Sequence, residues 1–285
     1  MQKGKASRTA LRVAIRRAAH QLTDLPPVHD DPVAVRLIGD EYARDMERAR
    51  HRVARDFRAY LAARSRYAEE QLSEAVTAGV DQFVVLGAGL DTFAYRNPYA
   101  QVHVYEVDFP ATQEWKRSLL AEKGIEPTGS LTYVPLDFER HTLAEGLAGT
   151  GFDWKRPAFF SWLGVVPYLT LDAFRHTLKM IADLPPGSGI SFDYVFAPES
   201  LTPARREIFA RLERRLLDCG EPMQLFFEPA TLADELRQAG FVCYDQADAE
   251  RLNDLYFRDR EDGLRLSPVR IGMLVSAWVV EDLAH

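Results

Sequence analysis

The sequence contains little cysteine, and its histidines are not arranged to bind a metal. Only Cys219 and Cys243 occur among the 285 residues, and they form no CxxC motif. A disulfide framework or a cysteine zinc site is therefore not expected. The seven histidines are scattered, with no pair four residues apart in a predicted helix. We expect no metal site, and a reducing cytoplasm suits this composition best.

The sequence also lacks a long apolar run and an excess of positive charge. No window approaches the roughly 20 apolar residues of a membrane span. The net charge of −7 argues against a nucleic-acid partner, because phosphate binding requires a positive field. We therefore expect neither a membrane nor a nucleic acid as partner.

The amino terminus is the exception to this charge balance. Six basic residues precede the first acid: Lys3, Lys5, Arg8, Arg12, Arg16 and Arg17. The segment lacks the apolar stretch of a secretory signal. An amphipathic arm helix is the favoured interpretation, and a transit peptide is the alternative.

The remaining composition, 47% hydrophobic and 27% charged, is typical of a folded enzyme-sized protein. Residues 8–75 are predicted to be mostly helical, with breaks at Pro26-Pro27 and Asp31-Pro32. Beyond residue 79, short apolar runs alternate with helical stretches. The predicted strands are 83–86, 102–107, 131–136, 158–165 and 189–195, and the helices between them include 111–122 and 171–182. This alternation predicts an α/β fold with right-handed crossovers and a parallel sheet covered on both faces.

The last third of the sequence adds further elements. It contains helices at 231–239 and 249–256, a strand from Phe241, and a long apolar strand at 269–280. The charged stretch 197–216 is predicted to be a helix outside the sheet that acts as a lid. We therefore divide the chain into a helical extension (1–75) and an α/β domain (76–285) with a lid insertion at about 197–225.

A Gly-x-Gly loop follows the first predicted strand. Gly87 and Gly89 flank Ala88, and glycine permits a tight turn close to a ligand. Thr92 stands where a dinucleotide-binding loop has its third glycine. Asp91 would repel a diphosphate but attract the ammonium and sulfonium of S-adenosyl-L-methionine. The pattern favours that cofactor, and a nicotinamide cofactor or a turn without a ligand are the alternatives.

Acidic residues end the next two strands. Asp108 lies about 20 residues beyond the glycine loop, where an acid can accept hydrogen bonds from ribose hydroxyls. Glu106 falls on the same face and is the alternative. Asp137 and Phe138 follow the third strand and could contact the adenine amino group and ring, although Asp137 could also be an ordinary turn residue.

Several motifs together resemble a known family. In order, they are Ser7-Arg8-Thr9-Ala10, Arg17-Ala18-Ala19-His20, Asp31-Pro32, Arg64-Ser65-Arg66-Tyr67, Gly87 to Thr92 with Tyr95-Arg96, Glu106 to Pro110, Val134 to Phe138 and Ser161 to Thr170. The chain resembles the leucine carboxyl methyltransferase and polyketide O-methyltransferase family, particularly its bacterial branch of S-adenosylmethionine-dependent enzymes. The likeness spans roughly the first two-thirds of the chain.

This resemblance implies a class I methyltransferase fold: a Rossmann-like, seven-stranded, mostly parallel sheet ending in an antiparallel hairpin. It also implies the cofactor contacts. Gly87, Ala88, Gly89 and Asp91 would lie along the methionine part, Asp108 at the ribose, Asp137 and Phe138 at the adenine, and Arg64, with Arg36 as a second candidate, at the carboxylate. A guanidinium suits a carboxylate because it binds it bidentately, although either arginine could instead be a surface residue.

One departure and one open position concern the acceptor side. Many relatives have a glutamate where this sequence has Leu163, so no cofactor contact is assigned to Leu163. Tyr168 could face the acceptor, but no catalytic residue is predicted.

The predicted function is O-methyl transfer from S-adenosyl-L-methionine to a carboxylate or hydroxyl of a small molecule. The absence of an evident His-acid dyad favours an acidic acceptor, which needs no base. The alternatives are an NAD(P)-dependent oxidoreductase and a non-catalytic S-adenosylmethionine-binding protein.

Overall fold

A computed structural model of the chain describes residues 7–48, 51–138, 140–218 and 220–281. Lys3, Lys5 and Cys219, which were discussed above, lie outside the described residues. The central element is one sheet, whose strand order is β3-β2-β1-β4-β5-β7-β6. Its strands are β1 (Gln82–Leu86), β2 (His103–Asp108), β3 (Leu131–Pro135), β4 (Phe159–Trp162), β5 (Gly189–Val195), β6 (Cys243–Ala247) and β7 (Gly272–Trp278).

The first five strands are parallel, and β7 pairs antiparallel with both β5 and β6. The predicted α/β fold with a mostly parallel seven-stranded sheet and an antiparallel end is confirmed. Because β1 to β5 run in one direction, the loops that follow them meet at a single edge of the sheet. We call it the carboxyl edge.

Ten helices accompany the sheet in the described part of the chain. They are α1 (Arg8–Thr23), α2 (Pro32–Ile38), α3 (Asp40–Arg48), α4 (His51–Thr77), α5 (Pro110–Glu122), α6 (Leu143–Leu147), α7 (Leu171–Ala182), α8 (Pro203–Leu217), α9 (Pro229–Ala239) and α10 (Ala249–Tyr256). Side-chain caps explain several starts: Ser7, Asp31 and Thr170 each accept a hydrogen bond from the first turn of the helix that follows. The helices α1 to α4 form the amino-terminal extension, which we call the cap.

Most predicted boundaries agree with the structure to within a few residues, and three features differ. The predicted strand 158–165 ends at Trp162, because Gly164 has a φ of +73° and turns the chain. Gly39, with a φ of +90°, separates α2 from α3, a break the sequence analysis did not predict. It also missed α6, a five-residue helix started by a capping box between Thr142 and Glu145.

Apolar residues cover both faces of the sheet. In β1, Val84 and Leu86 belong to one buried cluster, and Phe83 and Val85 belong to the cluster on the opposite face. This alternation follows from the two-residue period of a strand. Both faces of the central strand are therefore buried, as a parallel sheet requires.

Candidate cofactor site

The glycine loop turns at the carboxyl end of β1. Gly87 and Gly89 have φ values of +67° and +49°, which other residues rarely adopt. The backbone N–H groups of Gly87 and Ala88 both donate to the carbonyl of Val107, at 2.8 and 3.1 Å. A Cβ at Gly87 would lie 2.4 Å from Cγ2 of Val165. The loop is thus fixed to β2 and pressed against the loop after β4, with no room for a side chain.

Asp108 lies directly beside this loop. It is buried, and its Oδ2 accepts a hydrogen bond from the backbone N–H of Gly89. Its Oδ1 accepts another from the N–H of Phe109 at 2.6 Å. Burial raises the pKa of Asp108, and the two backbone hydrogen bonds oppose that rise. The structure therefore brings together the two features that the sequence assigned to the methionine part and the ribose.

Glu106, the alternative to Asp108, has a different environment. It is fully buried, and Lys116 of α5 donates to its Oε2 at 2.6 Å. Its Oε1 has no hydrogen-bond partner among the described residues. Burial raises the pKa of Glu106 to about 7, although Lys116 acts in the opposite direction. Glu106 is enclosed under α5, so Asp108 is the acid of β2 that reaches the glycine loop.

Asp91 contacts a cap residue that the sequence analysis did not assign to the site. Its Oδ1 accepts a hydrogen bond from the N–H of Phe93 at 2.8 Å, and its Oδ2 lies 3.8 Å from Nη1 of Arg17. Arg17 also donates to the carbonyl of Leu90 at 3.4 Å. The loop is therefore less negative than its own sequence indicates. The sequence offered only one local indication of this contact: Arg17 precedes the Asp31-Pro32 step that begins α2.

Arg17 connects the cap to the loop through buried groups. Its Nε donates to Asp31 at 3.0 Å, and Asp31 accepts a further hydrogen bond from Thr92 at 2.7 Å. The Cβ of Ala10, in α1, would lie 3.1 Å from a Cβ placed at Gly89. The first cap helix, α1, therefore covers the glycine loop at close range. The family motifs around Ala10, Arg17 and Gly89 are thus neighbours in space although they are far apart in the sequence.

Arg64 reaches the site from α4. Its Nη1 donates to Oδ2 of Asp193 on β5 at 3.0 Å, and its buried Nε has no partner among the described residues. Its guanidinium lies over Gly164, where an added Cβ would be 2.8 Å from Nη1. The next residue, Val165, faces Gly87. Arg64 is thus buried within the same group of loops and retains an unused N–H donor.

Asp137 and Phe138 follow β3 at the same edge. The N–H of Leu136 donates to the carbonyl of Asp108 at 2.8 Å, which holds the ends of β2 and β3 side by side. Asp137 is partly exposed, with Oδ2 3.6 Å from Nε of Arg140, and Phe138 packs against the buried cluster of the sheet. Both residues lie beside the position predicted for the ribose, as adenine contacts would require.

Arg36 and Tyr168 lie apart from the glycine loop. Arg36 is exposed on α2 and donates to the carbonyl of Gly124 at 3.5 Å, beyond the end of α5 that is remote from the carboxyl edge. The structure does not bring it to the other predicted residues. Tyr168 is half-buried after β4, and its carbonyl accepts a hydrogen bond from Gln224 at 2.7 Å. It therefore lies beside the predicted lid segment.

The lid segment contacts the start of the cap. Glu221, which follows α8, accepts hydrogen bonds from Ser7, at 3.2 Å, and from Thr9. The N–H of Gln224 donates to the carbonyl of Pro167 at 2.7 Å, in the loop after β4. The two segments predicted to close the site are therefore joined at the carboxyl edge.

The donor set fits a zwitterionic nucleoside cofactor. A buried, unpartnered guanidinium N–H suits a carboxylate, and an enclosed carboxylate next to a glycine loop suits ribose hydroxyls. No cluster of three or more potential metal ligands occurs among the described residues. Within the same part of the chain, no helix has the length and hydropathy needed to cross a bilayer.

Sequence comparison with known proteins finds a matching family and related proteins. The leucine carboxyl methyltransferase family model matches residues 10–182. The chain is 31% identical, over 93% of its length and 95% of the relative's, to a Bacillus subtilis protein named "Putative S-adenosyl-L-methionine-dependent methyltransferase YktD". It is 34% identical to a Mycobacterium bovis protein named "Putative S-adenosyl-L-methionine-dependent methyltransferase", over 78% of this chain and 74% of that one.

The fold also has a counterpart among solved structures. A Thermobifida fusca protein described as a "putative methyltransferase" superposes with a TM-score of 0.58 at 18% identity, covering 98% of this chain and 97% of that one. The family match spans the cap, the glycine loop, Asp108 and the loop after β4, which are the parts that the structure brings together. The chain belongs to the leucine carboxyl methyltransferase family, and its cofactor is S-adenosyl-L-methionine.

Proposed function

We propose that this methyltransferase transfers the methyl group to an oxygen of a small molecule, namely a carboxylate or an acidic phenol. The bound cofactor supplies an electrophilic methyl group on a sulfonium. The protein then has to hold the cofactor and the acceptor oxygen in line and exclude water. Arg64 would bind the cofactor carboxylate, Gly87 to Asp91 would lie along the methionine part, and Asp108 would bind the ribose. Asp137 and Phe138 would contact the adenine.

The observation that carries this proposal is that none of the histidine side chains described in the structure lies on the acceptor side as a base. Five histidine side chains are described. His20 and His29 are paired with Asp24 and Glu69 inside the cap. His103 begins β2 at the opposite edge, and His176 is exposed on α7. These four are not available to deprotonate an acceptor near β4.

His141, the fifth, follows β3, three strands from β4 in the sheet order, which is on the order of 14 Å. The side chains that follow β4 and β5 include Val165, Tyr168 and Phe196. With no described histidine near β4, an acceptor that is already ionised at neutral pH suits this side of the site. A neutral alcohol or amine would need a proton acceptor, so it fits this side of the site less well.

The cap and the lid would enclose the reaction. Ser7 and Thr9, at the start of the cap, donate hydrogen bonds to Glu221 of the lid segment, and Gln224 of that segment donates one to the carbonyl of Tyr168. This arrangement supports closure over the acceptor after binding. Cytoplasmic location and a small-molecule partner are part of the same proposal.

The test is an assay of purified protein with S-adenosyl-L-methionine and matched panels of carboxylic acids, phenols, alcohols and amines. Product mass and S-adenosyl-L-homocysteine release identify turnover. A methyl ester is cleaved by mild alkali, whereas a methyl ether is stable, so alkaline treatment separates the two oxygen chemistries.

With a carboxylic acid, the rate should be flat above about pH 5, because the acceptor is ionised there. With a phenol, it should rise up to the pKa of the phenol. Methylation confined to amines, thiols or carbon would contradict the proposal. Cofactor binding without turnover on any panel would also contradict it.

A further inference from the structure

Asp193 is a buried acid on β5 that the sequence analysis did not single out. It is 8% exposed and accepts three hydrogen bonds. Two come from α4 and reach Oδ2: one from Nη1 of Arg64 at 3.0 Å and one from the hydroxyl of Tyr60 at 3.2 Å. The third comes from the backbone N–H of Gly164 to Oδ1. One carboxylate thus joins a cap helix, the loop after β4 and the end of β5.

Asp193 leaves part of Arg64 available for another acceptor. A guanidinium has five N–H donors, and the contact with Asp193 uses Nη1. The Nε of Arg64 is buried without a partner among the described residues. A buried donor without an acceptor is energetically unfavourable. The arrangement is therefore completed by a ligand that brings an acceptor, and an anionic one is favoured by the positive charge.

A second arginine nearby, Arg270, also has a buried Nε without a partner among the described residues, but it pairs with a different acid. Nη1 of Arg270 pairs with Asp56 at 3.1 Å, and its guanidinium carbon lies 3.6 Å from the ring centre of Tyr60. Burial raises the pKa of Tyr60, and the negative charge of Asp193 raises it further, so Tyr60 stays a hydrogen-bond donor at neutral pH. Asp193 consequently serves Arg64 as its acidic partner, while Arg270 has one of its own.

The direction of Arg64 follows from its neighbours. Its guanidinium lies over Gly164, where a side chain would collide with it, and the adjacent Val165 would collide with a side chain at Gly87. Gly164 and Val165, in the loop after β4, therefore lie between Arg64 and the glycine loop. Asp193 holds that loop and Arg64 at the same time, through one oxygen each.

We propose that Asp193 is a positioning residue for the cofactor, which fixes Arg64 over Gly164 so that its remaining donors face the carboxylate of S-adenosyl-L-methionine. The inference rests on the proposed function, because it takes the carboxylate-binding role of Arg64 from it. Asp193 acts through Arg64 and takes no part in methyl transfer.

The test is binding of two ligands that differ only at the methionine end. S-adenosyl-L-homocysteine has the amino-acid carboxylate, and 5′-methylthioadenosine lacks the amino acid. Asp193→Asn preserves the size of the side chain but removes its charge. We expect Asp193→Asn to weaken S-adenosyl-L-homocysteine binding about tenfold, because Arg64 loses the charged acceptor that holds it over Gly164. Binding of 5′-methylthioadenosine should stay within about twofold.

Two matched variants define the specificity of this effect. Tyr60→Phe removes a donor to the same carboxylate while leaving Arg64 in place, so it should change binding of S-adenosyl-L-homocysteine by less than about threefold. Asp108→Asn should weaken both ligands, because ribose is common to them. Equal weakening of both ligands by Asp193→Asn would mean a purely structural role and would overturn the inference.

Arg64→Met supplies the second measurement. If Asp193 acts through Arg64, Asp193→Asn should cause no further loss of S-adenosyl-L-homocysteine affinity in the Arg64→Met background. A multiplicative loss would overturn the inference. If Arg64→Met itself leaves affinity unchanged, the carboxylate-binding role in the proposed function fails as well. Since no acceptor is present, these results are independent of whether the enzyme methylates oxygen.

Discussion

The cap and the sheet differ in the interactions that stabilise each of them. Buried and half-buried ion pairs connect the cap helices to each other and to the segment that follows the glycine loop. They are Arg17 with Asp31, Arg58 with Asp24, and Arg96 with Glu69. A small buried cluster among α1 to α3 consists of four alanines, Ala18, Ala19, Ala34 and Ala43. Apolar burial among α1 to α3 is therefore small, and charge pairs contribute to the contacts between these helices. Apolar residues such as Val33, Leu37 and Leu72 instead pack against the sheet.

The sheet shows the opposite balance. The rings of Trp162 and Phe174 are stacked, with centroids 5.7 Å apart, and Phe192 and Phe227 both contact Phe174. Aromatic burial does not depend on the protonation of a partner. The packing of the sheet core should therefore be insensitive to pH, whereas the position of the cap also depends on charge pairs.

The largest loss of stability is expected when the ion pair between Arg17 and Asp31 is broken. Arg17→Met leaves the fully buried Asp31 without its principal cation, and removal of one partner of a buried pair costs about 3–5 kcal/mol. We expect this loss in the free energy of unfolding measured with urea. Phe174→Ala should cost a similar amount through loss of packing.

In the cap, a second substitution should restore much of the lost free energy of unfolding. Arg17→Met combined with Asp31→Asn should regain much of the loss, because no uncompensated charge remains. Asparagine can still cap α2 through its side-chain oxygen. Additive losses in the double variant would show that the pair does not hold the cap in the way described.

A weaker effect on stability is expected from the buried ion pair between β2 and α5, Glu106 with Lys116. The pKa of Glu106 is raised by burial to about 7, above its ordinary value of 4.5. Its favourable contribution is complete below about pH 4.5 and is lost as the pH rises through 7. The free energy of unfolding should therefore decrease by about 3 kcal/mol more between pH 5 and 8 in the wild type than in Glu106→Gln. Equal slopes in the two proteins would refute this.

The smallest effect concerns the cap at acid pH. Burial alone would raise the pKa of Asp24, but hydrogen bonds from Arg58 and His20 outweigh it and lower the pKa to about 2. The stabilisation is present above about pH 4 and is lost as the pH falls toward 2. We expect a loss of about 2 kcal/mol, seen as faster hydrogen exchange in α1 than in β5. The Asp24→Asn variant should not show this increase in hydrogen exchange at acid pH. If α1 and β5 of the wild type lost protection at the same pH, the expected difference between the cap and the sheet would be wrong.

Much of the candidate site could be predicted because its signals are local. A strand that ends in Gly87-Ala88-Gly89, and a second strand that ends in Asp108, define their own positions once the strands are parallel and adjacent. The sequence favoured Asp108 and kept Glu106 as the alternative, because alternation puts both on one face. The decision between them depended on Lys116 in α5, which covers Glu106.

Other residues of the site could not be found from the sequence. Arg17 and Thr92 are 75 positions apart, and Arg64 and Asp193 are 129 apart. Nothing in the local pattern links either pair. Arg36 shows the converse, because a helical arginine in the cap resembles Arg64 in sequence but lies on an exposed face in the structure.

The sequence by itself determined the order of strands and helices, the glycine turn and the acid beside it, since periodicity, turn residues and helix caps act over a few residues. Only the tertiary structure decided which charges meet. Docking of the cap onto the carboxyl edge brings Arg17 to the glycine loop and Arg64 to Asp193. Charge pairing in a buried interface depends on distance in space, and the sequence pattern carries no measure of that distance.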